Sequence, residues 1–152
     1  MSTRRITVRA VTDSTGYAAA LGLIQAYLAS LEIDLGFQDV TAELADLPGT
    51  YGPPGGCLLL ARVNDAPAGC VGVRPFAGDI CELKRLYVRP EQRGLALGVT
   101  LSEGAIAAAQ RMGYRAMRLD TLPSQQAAHA LYSRLGFRAN PVPGTQYLER
   151  ML

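Results

Sequence analysis

The run CELKRLYVRPEQRGLALG, from Cys81 to Gly98, limits the fold more than any other part of the chain. Its first half has the apolar and β-branched residues of a strand, yet Glu82, Lys84 and Arg85 sit within it. It then breaks at Pro90 and enters a Gly/Ala-rich turn with Arg93 at its mouth. Burying an unpaired charge is very costly. Such a strand therefore lies at a sheet edge, pairs its charges, or opens on a cleft. Strict alternation puts Ile80, Glu82, Lys84, Leu86 and Val88 on one face and Cys81, Leu83, Arg85 and Tyr87 on the other.

The flanking sequence supplies a sheet for this strand to join. CLLLARV (57–63) reads as a strand, NDAP as a turn and AGCVGVRPF (68–76) as its hairpin partner. Upstream, RITVRAVT (5–12) alternates as a first strand. Asp13 and Ser14 can cap a helix whose apolar residues recur at Tyr17, Leu21, Ile24 and Leu28. Residues 33–47 are less regular, with a short helix expected near 40–47. PGTYGPPGG then reads as a loop. Downstream, a helix over 97–112 ends at Gly113, AMRLDT (116–121) is a strand, and SQQAAHALYSRLG is a helix ending at Gly136. Its apolar face holds Ala128, Leu131, Tyr132 and Leu135. QYLERML closes the chain as a strand. The expected fold class is α/β (α+β), a mixed sheet of about six to seven strands with helices on both faces. Residues 1–152 read as one domain.

RGLALG leads from the strand into a helix. Gly94 and Gly98 lack Cβ atoms and Ala96 has only a methyl, so backbone amides there can approach an anion closely. Arg93 can add a phosphate contact. The pattern is neither a P-loop nor a dinucleotide fingerprint. A net charge of +2 gives no reason to expect nucleic acid or a membrane surface as partner. No apolar run is long enough to span a bilayer, and the start has no signal-peptide core, so a cytoplasmic protein is expected. Cys57, Cys70 and Cys81 read as core thiols, and with one histidine, His129, no metal site is expected.

At these residues the chain resembles the GNAT superfamily of N-acetyltransferases. Val88-Arg89-Pro90 followed by Arg93-Gly94-Leu95-Ala96-Leu97-Gly98 is similar to its strand end and [RQ]-x-x-[GA]-x-[GA] motif. Ala128-His129-Ala130-Leu131-Tyr132-Ser133-Arg134-Leu135-Gly136-Phe137 is similar to its A-x-x-L-Y-x-x-x-G-F helix. The resemblance covers nearly the whole chain, and explains 33–56 least. It implies a GNAT fold with splayed strands at an acetyl-coenzyme A site, and acetyl-coenzyme A as co-substrate. Amides of residues 93–98 would cradle the pyrophosphate, and the backbone of Leu86, Tyr87 and Val88 would pair with the pantetheine arm. Two departures stand out. Ala96 replaces the commoner glycine, and Gln125 stands where many relatives have asparagine.

The resemblance also implies roles in transfer to an amine. Tyr132 would donate a proton to the leaving thiolate, or serve only as a packing residue. Glu82 would be the base, directly or through water, or a structural ion pair with Lys84 or Arg85. The Leu86 N–H would polarise the thioester carbonyl. Lys84 would face the acceptor, holding a carboxylate of it or balancing Glu82. Asp34, Asp39, Glu43 and Tyr51 lie in the segment expected to cover the acceptor, where any of them could bind an amine and most are expected to be solvated. His129 is expected on an exposed helix face, and Asp120 in a structural role. A coenzyme-A-binding sensor without turnover and a nucleotide-binding protein using the same turn are the alternatives. A homodimer is one assembly open to this fold.

Overall fold

The computed structural model describes residues 4–31, 40–120, 126–139 and 147–152, with residues 126 and 127 described by their backbone alone. Seven strands form one sheet in the order β1-β2-β3-β4-β5-β7-β6. They are β1 (Ile6–Ala10), β2 (Cys57–Val63), β3 (Ala66–Ala77), β4 (Ile80–Val88), β5 (Ala116–Asp120), β6 (Arg138–Ala139) and β7 (Tyr147–Met151). The helices are α1 (Ser14–Ser30), α2 (Val40–Ala45), α3 (Leu47–Tyr51), α4 (Leu97–Arg111) and α5 (Gln126–Arg134). This is the expected mixed sheet with helices on both faces.

Hairpins build the first half. Asn64 and Asp65 both take positive φ, 51° and 71°, which lets a two-residue turn join β2 to β3. The turn is tighter than the four residues NDAP suggested. β1 to β4 pair antiparallel throughout, and β5 and β6 each pair antiparallel with β7. Between the halves lies one parallel contact, β4 with β5. It comprises three pairs: Ile80 with Ala116, Cys81 with Met117, and Glu82 with Arg118.

Two cores separate along the faces. On one, α4 lays Leu97, Leu101, Ala105 and Ala109 against Leu59, Val71, Val73, Cys81, Leu83 and Met117. On the other, α1 and α3 cover Leu58, Leu60, Cys70 and Tyr87 with Ala20, Leu23, Ile24, Leu47 and Tyr51. Cys70 and Cys81 are buried and Cys57 is half-buried, all as free thiols, in agreement with core thiols. Burial pushes the Cys81 thiol up to about 11 and that of Cys70 to about 12.

Three local readings change. Asp13 alone caps α1, accepting from the Gly16 N–H at 2.8 Å, and the fully buried stripe is Gly16, Ala20, Leu23 and Ile24. Tyr17, Leu21 and Leu28 pack at its border. The start of PGTYGPPGG is helical, not loop: Pro48 sits in the first turn of α3, where its missing N–H costs nothing, and Asp46 caps by accepting from Gly49 N–H. The third change is on β4. Cys70 stands opposite Tyr87, while Gly72 stands opposite Lys84, so β4 spends three residues where β3 spends two. The extra residue is Arg85, left-handed at φ 61°. This β-bulge breaks the alternation. Cys81 and Leu83 face α4, and so do Leu86 and Val88. Lys84 and Arg85 therefore follow one another on the opposite face.

Candidate active site

β4 and β5 run side by side only as far as Glu82 and Arg118, then part. Among the described residues, residues 83–88 of β4 have no register partner on β5. A strand edge inside a sheet is thus left with unpaired backbone groups, which need partners. Just beyond it lies the glycine turn. After a 3-10 turn at Pro90–Gln92, Gly94 takes φ 95° and Ala96 takes φ 58°. Ala96 is the N-cap of α4 and offers no side-chain bond to it. The first helical amide bond is Thr100 N–H to Ala96 C=O, which leaves the amides of Ala96, Leu97, Gly98 and Val99 without intrahelical acceptors. A Cβ on Gly94 would meet nothing within 4 Å, and one on Gly98 would meet only Leu131 at 3.6 Å. Arg93 is exposed, and its Nε donates to the Val88 carbonyl at 3.3 Å. Leu95 is half-buried and Leu97 is core. A ligand with peptide-like groups at one end and an anion at the other matches this fork and turn.

Across the fork, the L-Y-x-x-x-G-F pattern is a helix stop. Gly136, at φ 96°, donates to the Ser133 carbonyl, and Phe137 N–H reaches back to the Tyr132 carbonyl at 3.0 Å. The rings of Phe137 and Tyr132 then pack edge to face with centroids 5.7 Å apart. Glycine and phenylalanine thereby fix where Tyr132 sits, in the α4-side core at 6% exposure. Burial, with Tyr27 adding to it, holds its hydroxyl well above the ordinary tyrosine value. Tyr132 is therefore a packing residue whose hydroxyl stays protonated.

The other wall is charged. Arg74, Glu82, Arg118, Glu149 and Arg138 stand side by side in register across β3, β4, β5, β7 and β6. They share the face away from α4, because Val73, Leu83, Leu119 and Leu148 beside them pack toward α4. Glu82 is 4% exposed. It accepts from Arg74 Nε at 3.0 Å, and Arg118 Nε lies 3.6 Å from its other oxygen. The structural partners of Glu82 are thus arginines of the neighbouring strands, not Lys84 or Arg85. Arg118 is clamped between two rings, 4.1 Å from the centroids of both Phe76 and Tyr147, and bonds Asp120 at 2.8 Å.

Arg85 turns to a separate set. Its Nε and Nη2 meet the two oxygens of Glu43 at 2.9 and 2.7 Å, and Tyr51 donates its hydroxyl to the same carboxylate at 2.7 Å. All three are buried. The Tyr51 ring lies on Gly72, where a Cβ would come within 2.5 Å of it. Burial pushes the Glu43 carboxyl up, but the bonds from Arg85 and Tyr51 outweigh it and leave it below the ordinary value. Sequence reasoning placed Glu43 and Tyr51 in the segment over the acceptor, as amine-binding or solvated residues. They are instead the partners of Arg85. Lys84 is half-buried and, among the described residues, has no hydrogen bond or ion pair. Burial lowers its pKa and Glu82 opposes this, but Arg85 and Arg74 add to the lowering, and the net is below an ordinary lysine. His129 is half-buried, not exposed, and Asp120 has its structural role with Arg118. Gln125, Asp34 and Asp39 lie outside the described residues. Arg74 and Arg118 are the charged groups that sequence reasoning missed at this wall.

Among the described residues there is no cluster of three or more metal-ligating side chains, and no helix is long and apolar enough to cross a membrane. The model of the Acetyltransferase (GNAT) family matches residues 23–137. An uncharacterised N-acetyltransferase of Schizosaccharomyces pombe is 46% identical over 134 residues, covering 83% of this chain and 82% of the relative. A GNAT-family acetyltransferase from Staphylococcus aureus Mu50 has the same fold, with a TM-score of 0.81 and 20% identity over 97% of this chain and 99% of that one. The PaiA N-acetyltransferase of Thermoplasma acidophilum, solved in complex with coenzyme A, superposes with a TM-score of 0.73 at 16% identity, over 97% of this chain and 99% of that one.

Proposed function

We propose a function from one premise: the chain belongs to the acetyltransferase (GNAT) family, and is an acyltransferase. It transfers an acetyl group from acetyl-coenzyme A to a primary amine of a small molecule or peptide, with both substrates bound at once. The observation that carries this reading is the fork. β4 leaves β5 after Glu82, and the uncapped start of α4 stands beyond the end of the opened strand. The residues present fit the co-substrate, which supplies an activated acyl group when bound.

The amides of residues 93–98 hold the pyrophosphate, with Arg93 beside them. The backbone of Leu86, Tyr87 and Val88 takes the pantetheine arm as a missing strand neighbour. Just past the bulge, the Leu86 N–H would donate to the thioester carbonyl and stabilise charge developing on its oxygen. The amine nitrogen bonds to the carbonyl carbon as the carbon–sulfur bond breaks. Tyr132, protonated and buried, gives its hydroxyl proton to the departing sulfur. Both oxygens of Glu82 already face guanidinium groups, so it receives the amine proton through water.

Thermal unfolding across an acetyl-coenzyme A titration, with ATP and NAD as controls, tests the donor site. Ligand at about 100 times its dissociation constant adds roughly 2.7 kcal/mol of stability. A selective, saturable shift is expected, and Gly98→Val should remove it by filling the turn. A shift shared with ATP, or none, would overturn the reading.

A further inference from the structure

Among the described residues, the bulge in β4 leaves one positive charge over. Arg74, Lys84, Arg85 and Arg118 gather on the side of the fork away from α4, and the carboxylates among them are Glu43, Glu82 and Asp120. Glu43 is taken by Arg85 in a two-pronged bond, Glu82 lies between Arg74 and Arg118, and Asp120 bonds Arg118. Farther along the row, Glu149 and Arg138 stand opposite each other and leave the sum unchanged. The surplus falls on Lys84, which among the described residues is the one member of the group without an ion pair. An ammonium held half out of water with no ion pair of its own is unfavourable, and an anionic ligand relieves it. The position is also telling. Lys84 follows the last β4–β5 pair by two residues, so it stands where the acyl end of the donor stops and the acceptor arrives.

We propose that Lys84 binds a carboxylate of the acceptor, so that the enzyme acts on amines that carry a carboxylate, as amino acids do. This rests on the donor reading above. The same wall works against the alternatives. A polyamine or simple alkylamine brings only positive charge to a surface already in positive excess, and like charges in juxtaposition discriminate strongly. Arg118 strengthens the bias, because the rings of Phe76 and Tyr147 hold its guanidinium beside the fork.

The test uses the full chain, acetyl-coenzyme A and thiol release, with the common amino acids each paired against its own carboxamide. A charge-assisted contact predicts that the best amino acid exceeds its carboxamide in kcat/KM by about tenfold or more. In Lys84→Met that ratio should fall toward one, mainly through KM for the amino acid, and Lys84→Arg should restore part of it. A purely structural lysine would lower both members of each pair and leave the ratio in place, which would overturn the proposal. Carboxamides turned over as well as amino acids would overturn it while the acetyltransferase reading stands. So would turnover of neither class by a protein that binds acetyl-coenzyme A. Failure to bind acetyl-coenzyme A would remove the donor reading, and this inference with it.

Discussion

On one side of the bulge, Arg85, Glu43 and Tyr51 form a closed set in which every charge has its counterpart and the carboxylate accepts three hydrogen bonds. On the other, Glu82 and Asp120 are taken up by Arg74 and Arg118, and among the described residues Lys84 is left over. The two sets grow from adjacent residues of one strand. The closed one joins α2 and α3 to β4, and its charges are no use to a ligand because none is available. The open one gives up stability to keep a charge on offer. A cluster of charges at a fork is therefore informative only once its partners have been counted.

Breaking the closed set should have the largest effect. Glu43→Gln leaves the Arg85 guanidinium buried without a counter-charge, and should cost about 3–5 kcal/mol in urea unfolding. The same contact can be titrated in the native sequence. The Glu43 carboxyl lies below its ordinary value of 4.5. Its contribution is thus fully present above that value and is lost as pH falls through the lower folded value. Glu43→Gln should erase that part of the acid limb, and an unchanged limb would place it elsewhere.

Breaking the open set should have a smaller effect of opposite sign. Lys84→Met removes an unpartnered ammonium, and should raise stability at neutral pH by up to about 1 kcal/mol while impairing turnover. Because the folded pKa of Lys84 is below 10.5, the native state binds fewer protons than the unfolded chain between the two values. Wild-type stability therefore rises with pH across that window, and the advantage of Lys84→Met should shrink as pH nears 10.5. A loss of stability in Lys84→Met would mean that its stem packs more than its charge offends.

Features marked by glycine were legible in the chain. The 93–98 turn, the stop of α4 at Gly113 and the Gly136-Phe137 lock on Tyr132 all need backbone that glycine permits, and they lie where the spacing puts them. The bulge was not legible. Arg85 adopts a left-handed conformation that costs an L-residue about 1–2 kcal/mol, and ELKRLYV carries no glycine to announce it. Strict alternation consequently put Leu86 and Val88 on the wrong face. α3 was hidden for the opposite reason, since Pro48 and Gly49 look like breakers unless Asp46 is seen to cap them. The ion pairs were out of reach for a further reason. Arg74 and Arg118 meet Glu82 only because strand order and register bring them there, and neither is written in local sequence.

The parallel contact between β4 and β5 also gives the molecule a crease. Antiparallel ladders bind β1 to β4 into one plate and β5, β7 and β6 into another, and among the described residues only three register pairs of the sheet ladder weld plate to plate, with the α4 core packed across both. Bending is cheapest along such a line, because the angle between the plates can change while each plate keeps its own ladders. Glu82 and Arg118, the last pair of the weld, sit at the pivot. Any change of the angle between the plates would therefore widen or narrow the fork, while a side chain at the pivot kept its place.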